Sequence, residues 1–214
     1  MIMHHNEVNP SPAAFCWTRF GPEAGESFGE ILSRKEAERQ AGEGVFYWGI
    51  GSAIGPALRT LVTRTDEPEV LFSPIRTAPR PVDASPDCVV RWWAGEGLSG
   101  ERVDLPAHAC VTSRWDPLRP NTARYALVCG SDDTLRSDDH GDLCFGSLLN
   151  LRSGAPIGAS QVTAVVRHDR TRPRLGRAYR VALRTSLVWP YLIRLASPEI
   201  VDSSATEEPG TVAV

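Results

Sequence analysis

Lysine is almost absent from this sequence: of 23 basic residues only Lys35 is lysine, and all the others are arginine. Long apolar runs are absent too, since none approaches the roughly 18 residues that would indicate a membrane span. Residues 1–12 lack the apolar segment of a secretory signal. We therefore expect a cytoplasmic protein that has no membrane partner.

Paired cysteines are also missing, because no two of the five cysteines have the spacing of a CxxC motif. The odd count and the wide spacing argue against a zinc site and against a disulfide framework. Residues 132–142 are rich in aspartate but lack the closing glutamate of an EF-hand, so we expect a solvated loop. The sequence predicts buried free thiols, no metal and no cofactor. The cysteines are Cys16, Cys88, Cys110, Cys129 and Cys144.

The composition is that of an ordinary globular protein, with 214 residues, 42% of them hydrophobic and 23% charged. This length favours one domain that is large enough to fold without disulfides. We predict a flexible N-terminus over residues 1–12, a single domain over residues 13–202 and a disordered tail over residues 203–214.

Two helices are predicted near the beginning of the chain. Ser27 and Glu30 have the spacing of a capping box, which indicates a helix that starts after Ser27. Ser52 is predicted to cap a second helix, whose apolar face includes Leu58 and Leu61. Short runs of β-branched and aromatic residues predict the strands. The predicted strands are residues 13–20, 45–50, 69–72, 88–93, 109–113, 125–129, 162–168, 179–183 and 192–195.

The strands are numerous and short, and few of them are separated by helices. This order predicts an α+β fold, in which a curved or barrel-like, mostly antiparallel sheet has the two early helices packed against it. A doubly wound parallel sheet is disfavoured, since it would need helices between most of its strands.

The turn after the strand at residues 45–50 is a first candidate ligand site. Gly49 and Gly51 would let a ligand approach the backbone, and the free N–H groups at Ser52 could hold an anion or a carbonyl oxygen. Trp48 stands beside this turn. The alternative is an ordinary strand-to-helix connection.

Two strand endings that carry Ser and Arg form a second candidate. Ser73 and Arg76 follow one apolar run, and Ser113 and Arg114 follow another. Side by side, the two ends would make a polar mouth on an apolar pocket. The alternative is a pair of solvated loops.

Charge is segregated along the chain, with eight arginines and one acidic residue, Asp169, between residues 160 and 194. A basic loop of this kind can lie along a phosphate backbone. The residues predicted to contact that backbone are Arg170, Arg172, Arg174 and Arg177.

The sequence has six tryptophans, and we expect at least one of them to line a ligand pocket. Catalytic signals are poor by comparison. HExxH and the deaminase signature are absent, and His108 is the one acid/base candidate that we name.

The order of elements resembles the PUA-like superfamily and, within it, the EVE domain. The resemblance rests on the strand Phe15–Arg19 with the helix after it, on residues 45–49 and on residues 179–183. It implies a pocket that reads a modified base, or an RNA-binding surface, with Trp17 and Trp48 facing the pocket.

The leading hypothesis is therefore a module that binds nucleic acid (DNA or RNA) or a nucleotide and holds a base in an aromatic pocket. The alternatives are a hydrolase acting on a nucleotide or similar metabolite, and a protein-interaction subunit of a bacterial system. The predicted ligand-binding residues are Trp17, Arg19, Trp48, Gly49, Gly51, Ser52, Ser73, Arg76, Ser113 and Arg114.

Overall fold

The computed structural model describes residues 13–21, 26–75, 88–111, 123–158, 160–172 and 176–202. The predictions for residues 1–12 and 203–214 fall outside these ranges. The helices are α1 (Phe28–Ala41) and α2 (Gly55–Val62). The strands are β1 (Ala14–Phe20), β2 (Val45–Ile50), β3 (Glu69–Pro74), β4 (Cys88–Arg91), β5 (Ala94–Gly97), β6 (Arg102–Asp104), β7 (Tyr125–Gly130), β8 (Asp142–Cys144), β9 (Leu148–Asn150), β10 (Thr163–His168), β11 (Ala178–Arg180), β12 (Leu183–Leu195) and β13 (Glu199–Asp202).

The α+β class is confirmed, and most strand pairs are antiparallel. The largest sheet has nine strands in the order β2-β7-β12-β3-β1-β10-β9, with β5 joining β12 and β6 joining β5. Among the described strands, β1 and β3 are the only parallel neighbours. The described strands do not close this sheet into a barrel. In the described part of the chain, neither helix is long and apolar enough to cross a membrane.

The first helix begins as the sequence predicts. The Oγ of Ser27 accepts a hydrogen bond from the backbone N–H of Glu30, and the N–H of Ser27 donates to the Glu30 carboxylate at 2.6 Å. This capping box is confirmed. The cap predicted for α2 is wrong: Ile54 holds the N-cap position without a side-chain hydrogen bond, and Ser52 lies outside the helix.

Several predicted strands differ in the structure. The strand predicted over residues 88–93 ends at Arg91, and the one predicted over residues 192–195 is only the end of the longer β12. The prediction over residues 179–183 splits, because β11 ends at Arg180 and Leu183 already belongs to β12. Val181 lies between them, and its N–H donates to the carbonyl of Gly141, which follows the register of β11 with β8. Of the strand predicted at residues 109–113, the described part, residues 109–111, is not in a strand.

The two faces of the large sheet bury three hydrophobic clusters. The first core lies on the helix side and joins α1 and α2 to inward residues such as Cys16, Phe72 and Leu127. The second core lies on the opposite face of β1 and β3, under β8 and β11. The third core covers the opposite face of β7 and β12 with residues from 90–111. Alternating side chains of one strand therefore belong to different cores.

A wide bulge interrupts β12. The pairing with β7 shifts register between Leu187 and Leu192, and Tyr191 adopts a left-handed backbone conformation with φ of 64°. The bulge displays the indole of Trp189, which is 67% exposed. Beyond it, β12 leaves β3 and pairs with β5. The extra residues of the bulge thus let β12 pair on the same side with β3 before the bulge and with β5 after it.

A buried ion pair protects the outer edge of β2. Lys35 and Glu38 of α1 lie 2.8 Å apart and are almost fully buried. The Lys35 ammonium donates to the carbonyls of Tyr47 and Cys110, while the Glu38 carboxylate accepts from the N–H groups of both residues. The pair therefore stands between β2 and the segment 109–111, and it takes hydrogen bonds that a neighbouring strand would otherwise supply. Past it, the N–H of Gly49 reaches the carbonyl of Val111 directly, at 2.9 Å.

A second carboxylate of α1 anchors the aspartate-rich segment. Glu36 accepts hydrogen bonds from Arg39, from Gln40 and, at 2.8 Å, from the N–H of Leu135, whose side chain is buried in the first core. The bond from Arg39 is the main cause that lowers the pKa of Glu36 to about 2. The neighbouring aspartates Asp132 and Asp133 are exposed.

We expect Glu36→Gln to lower the free energy of unfolding by about 1 kcal/mol at neutral pH. Because the folded-state pKa lies below the ordinary value of about 4.3, this stabilisation is complete above that value and is lost as the pH falls toward 2. Urea unfolding at several pH values should therefore show the gap between wild type and variant closing in this window. A gap that stays constant with pH would contradict this role, and Asp138→Asn, at an exposed ion pair, is the control.

The four cysteines whose side chains are described are free thiols. Cys16 and Cys129 are fully buried in the first core, and burial raises the pKa of both, that of Cys129 to about 12. These two thiols therefore stay protonated. Cys110 and Cys144 are half-buried.

Candidate anion-binding site

The site begins where the parallel strands β1 and β3 end together. Their register places Trp17 beside Leu71 and Arg19 beside Ser73, so polar groups of both strands meet at one edge. The indole Nε1 of Trp17 donates to the Oγ of Ser73 at 3.0 Å, and both residues are fully buried. The pair forms a polar floor, because each group satisfies the other away from water.

Tyr179 of β11 covers this floor. Its ring meets the ring of Trp17 at 5.3 Å between centroids and that of Phe145 at 5.6 Å, both inclined at about 60°. The N–H of Ala182 donates to the carbonyl of Phe72 at 2.9 Å and holds the end of this segment against β3. Tyr179 is therefore a rigid and mostly buried platform, only 8% exposed.

Two guanidinium groups rest on this platform. The Cζ of Arg19 lies 5.0 Å from the centroid of the Tyr179 ring, and the Cζ of Arg177 lies 5.5 Å from it. Arg19 is half-buried, and its backbone N–H is fixed at 2.7 Å by the carbonyl of Val162. Arg177 is exposed.

Among the described residues, these two arginines have no carboxylate partner. Within the described residues, neither Arg19 nor Arg177 forms an ion pair, and the buried Nε of Arg19 has no hydrogen-bond partner. By contrast, Arg34 and Arg184 each hold a carboxylate at 2.8–2.9 Å. A guanidinium that is partly shielded from water and has no carboxylate partner interacts more strongly with an anion than a fully hydrated guanidinium does.

Taken together, Arg19, Arg177 and Tyr179 can hold an anionic group. The aromatic face attracts and orients the guanidinium planes, which leaves their N–H groups available for phosphate or carboxylate oxygens. We call these three residues the Arg–Tyr–Arg stack.

The structure joins residues that the sequence placed in different sets. Arg19 and Ser73 belonged to the predicted ligand-binding set, and Arg177 to the predicted nucleic-acid contacts. Tyr179 belonged to neither. Its one sequence signal is its position among arginines, two residues after Arg177.

The structure separates Trp17 from Trp48. Trp17 lies in the second core, and Trp48 lies in the first core on the opposite face, 7% exposed. The ring of Trp48 packs 4.6 Å from that of Phe72 and 5.2 Å from that of Phe20, with the Lys35 ammonium 5.8 Å from its centroid. The two indoles therefore line no common pocket, and both are covered by protein.

The predicted turn at Gly49–Ser52 is arranged differently from the expectation. The N–H of Gly49 is taken by Val111, and the carbonyl of Ser52 accepts from the N–H of Ile54. Gly51 is exposed. These residues precede α2 without forming its N-terminus, so they do not provide the expected set of free helical N–H groups.

The other predicted arginines and Ser113 either are exposed on a loop or lie outside the described residues. Arg170 and Arg172 are exposed on the loop before β11, and Arg172 lies 3.7 Å from Asp169. Arg76, Ser113, Arg114 and Arg174 lie outside the described residues.

His108, the acid/base candidate, has no hydrogen-bond partner among the described residues. His108 is half-buried, and its Nε2 lies next to Gly42 at the end of α1. Within the described ranges, no three His, Cys, Asp or Glu side chains are grouped so that they could hold a metal ion.

No family model, no curated protein and no solved structure matches this chain.

Proposed function

We propose that this protein is a binding module for a phosphate-bearing ligand, either a nucleic acid or a nucleotide, and that the Arg–Tyr–Arg stack holds the phosphate. The observation that carries the proposal is Arg19: a half-buried guanidinium on an aromatic ring, with one donor unpaired and no carboxylate among the described residues. Arg177 supplies a second fork on the same ring.

The chemistry of the stack supports phosphate as the ligand group. A guanidinium offers two parallel N–H donors that match two phosphate oxygens. The Tyr179 ring holds the Arg19 side chain in place before the ligand binds. Less side-chain conformational entropy is therefore lost on binding. Arg170 and Arg172 follow on the loop that leads to Arg177 and would lie near further phosphates of a strand.

Base stacking on Trp17 or Trp48 is not part of this proposal, because both rings are buried. The relationship to the PUA-like superfamily, including the curved or barrel-like form of the sheet, stays a prediction. A cytoplasmic location, which the free cysteines favour, is proposed with it.

Fluorescence anisotropy with labelled single- and double-stranded DNA and RNA tests the proposal at two salt concentrations. We expect salt-sensitive binding by the wild type. Arg19→Gln and Arg177→Gln should each weaken it about tenfold, since a hydrogen bond to a charged group contributes about 1.5–3 kcal/mol. Each change should also reduce the slope of log K against log salt by about 0.7–0.9.

Arg194→Gln is the matched control. Arg194 is an exposed arginine of β12 that already pairs with Glu96, and the change removes the same charge. Affinity lost equally in all three variants would show that net charge, and not this stack, binds the ligand. Absence of binding by the wild type even at low salt would refute the proposal.

A further inference from the structure

The two arginines of the stack differ in depth. Arg19 belongs to β1, whose neighbours β3 and β10 lie on both sides, and its side chain is half-buried with the Nε fully enclosed. Arg177 lies outside the strands and is exposed. Both Cζ atoms lie within 5.5 Å of one ring centroid, so the same aromatic side chain holds one exposed guanidinium, Arg177, and one deeper guanidinium, Arg19.

This depth distinguishes two kinds of phosphate. A diester inside a strand carries one negative charge and has a sugar on each side, so the chain itself keeps it from reaching a recessed donor. A terminal monoester has one substituent, three free oxygens and a charge of about −1.5 to −2. It can enter end-on and use both guanidinium groups at once.

We infer that the Arg–Tyr–Arg stack takes a terminal phosphate monoester, the end of a nucleic-acid strand or the phosphate of a mononucleotide. This inference rests on the proposed function and narrows it. The base and sugar remain outside the second core, because Trp17, Ser73 and Tyr179 fill the space beneath the arginines. Recognition therefore depends on the phosphate end and is indifferent to the base.

The test compares one single-stranded oligonucleotide with a 5′-phosphate, with a 3′-phosphate and with hydroxyl ends, each labelled internally. A nucleoside monophosphate and its nucleoside serve as competitors. We expect at least one phosphorylated form to bind about tenfold more tightly than the hydroxyl form, and base changes to alter affinity less than about threefold. Competition by the monophosphate alone would name the mononucleotide as a source, and failure to compete would name the strand end.

Arg19→Gln should abolish the preference for the phosphorylated form, whereas Arg194→Gln should keep it. Arg19→Lys, which retains the charge without the fork, should keep only part of it. Thermal melting confirms that each variant is folded, and the exposed Arg177→Gln gives a second reading if Arg19→Gln does not fold.

The failures are distinguishable. If both forms bind equally and Arg19→Gln weakens both, the proposed function holds and the monoester inference is overturned. A preference that survives both arginine changes overturns it as well, since the phosphate end is then read elsewhere. If no oligonucleotide or nucleotide binds, the proposed function itself fails.

Discussion

Replacing Glu38 by glutamine is expected to destabilise the protein by about 3–5 kcal/mol, because the Lys35 ammonium is then left buried without its counter-charge. Both side chains are at most 2% exposed, so water cannot take the place of the lost partner. Urea unfolding at neutral pH measures the effect. Asp104→Asn breaks an ion pair whose partners are 72–80% exposed, and it should cost less than about 1 kcal/mol.

A double variant, Lys35→Met with Glu38→Leu, separates this pair from an ordinary buried ion pair. Apolar replacement of an isolated pair is often neutral or stabilising. Here the two side chains also form hydrogen bonds with the N–H and carbonyl groups of Tyr47 and Cys110, and the double variant would remove these hydrogen bonds. We therefore expect the double variant to stay at least about 2 kcal/mol below wild type. Recovery to wild-type stability would contradict the role assigned to the pair at the edge of β2.

The same pair shows what local sequence could and could not predict. A lysine and a glutamate three positions apart on a helix are typical of a solvated surface. Nothing in residues 28–41 signals that this helix face meets the unpaired edge of β2. The burial follows from tertiary packing, and it also explains why residues 109–111, which have strand-like composition, contact β2 partly through side chains.

Elements with strong local signals were predicted well. The capping box fixed the start of α1, and the aromatic and β-branched residues of β2 gave both of its ends. The short strands β5, β6, β8, β9 and β13 were missed, since their three or four residues carry no periodicity. The gap between β11 and β12 was missed for the same reason.

The candidate site was predicted in its parts and not in its assembly. Arg19 and Arg177 were both named, but their residue types could not show that a single ring would hold them. Trp17 and Trp48 were expected in one pocket because aromatic side chains suit stacking equally well in a core or at a ligand. Side chains along β1 and β2 alternate between the two faces of the sheet, and this alternation places the two indoles in opposite cores.

Trp48→Ala is expected to lower the free energy of unfolding by about 3–5 kcal/mol, the usual cost of removing a large buried aromatic side chain. The indole fills the space between Phe20 and Phe72, and neither strand can move to close the gap without breaking its ladder. Trp189→Ala is the matched control, because the same atoms are removed from a side chain that is 67% exposed, and we expect a change below about 1 kcal/mol.

Ligand affinity gives the second readout of Trp48→Ala and decides between the two uses of this tryptophan. The Arg–Tyr–Arg stack lies on the opposite face of the sheet, so phosphate binding by the folded variant should stay within about twofold of wild type. Anisotropy must be measured at a temperature where circular dichroism shows the variant to be fully folded. A selective loss of affinity for one base, with stability little changed, would show that Trp48 contacts the ligand. The binding site would then lie on the helix side of the sheet. A loss of stability with unchanged affinity would instead place the indole in the core and leave the phosphate as the group that the protein recognises.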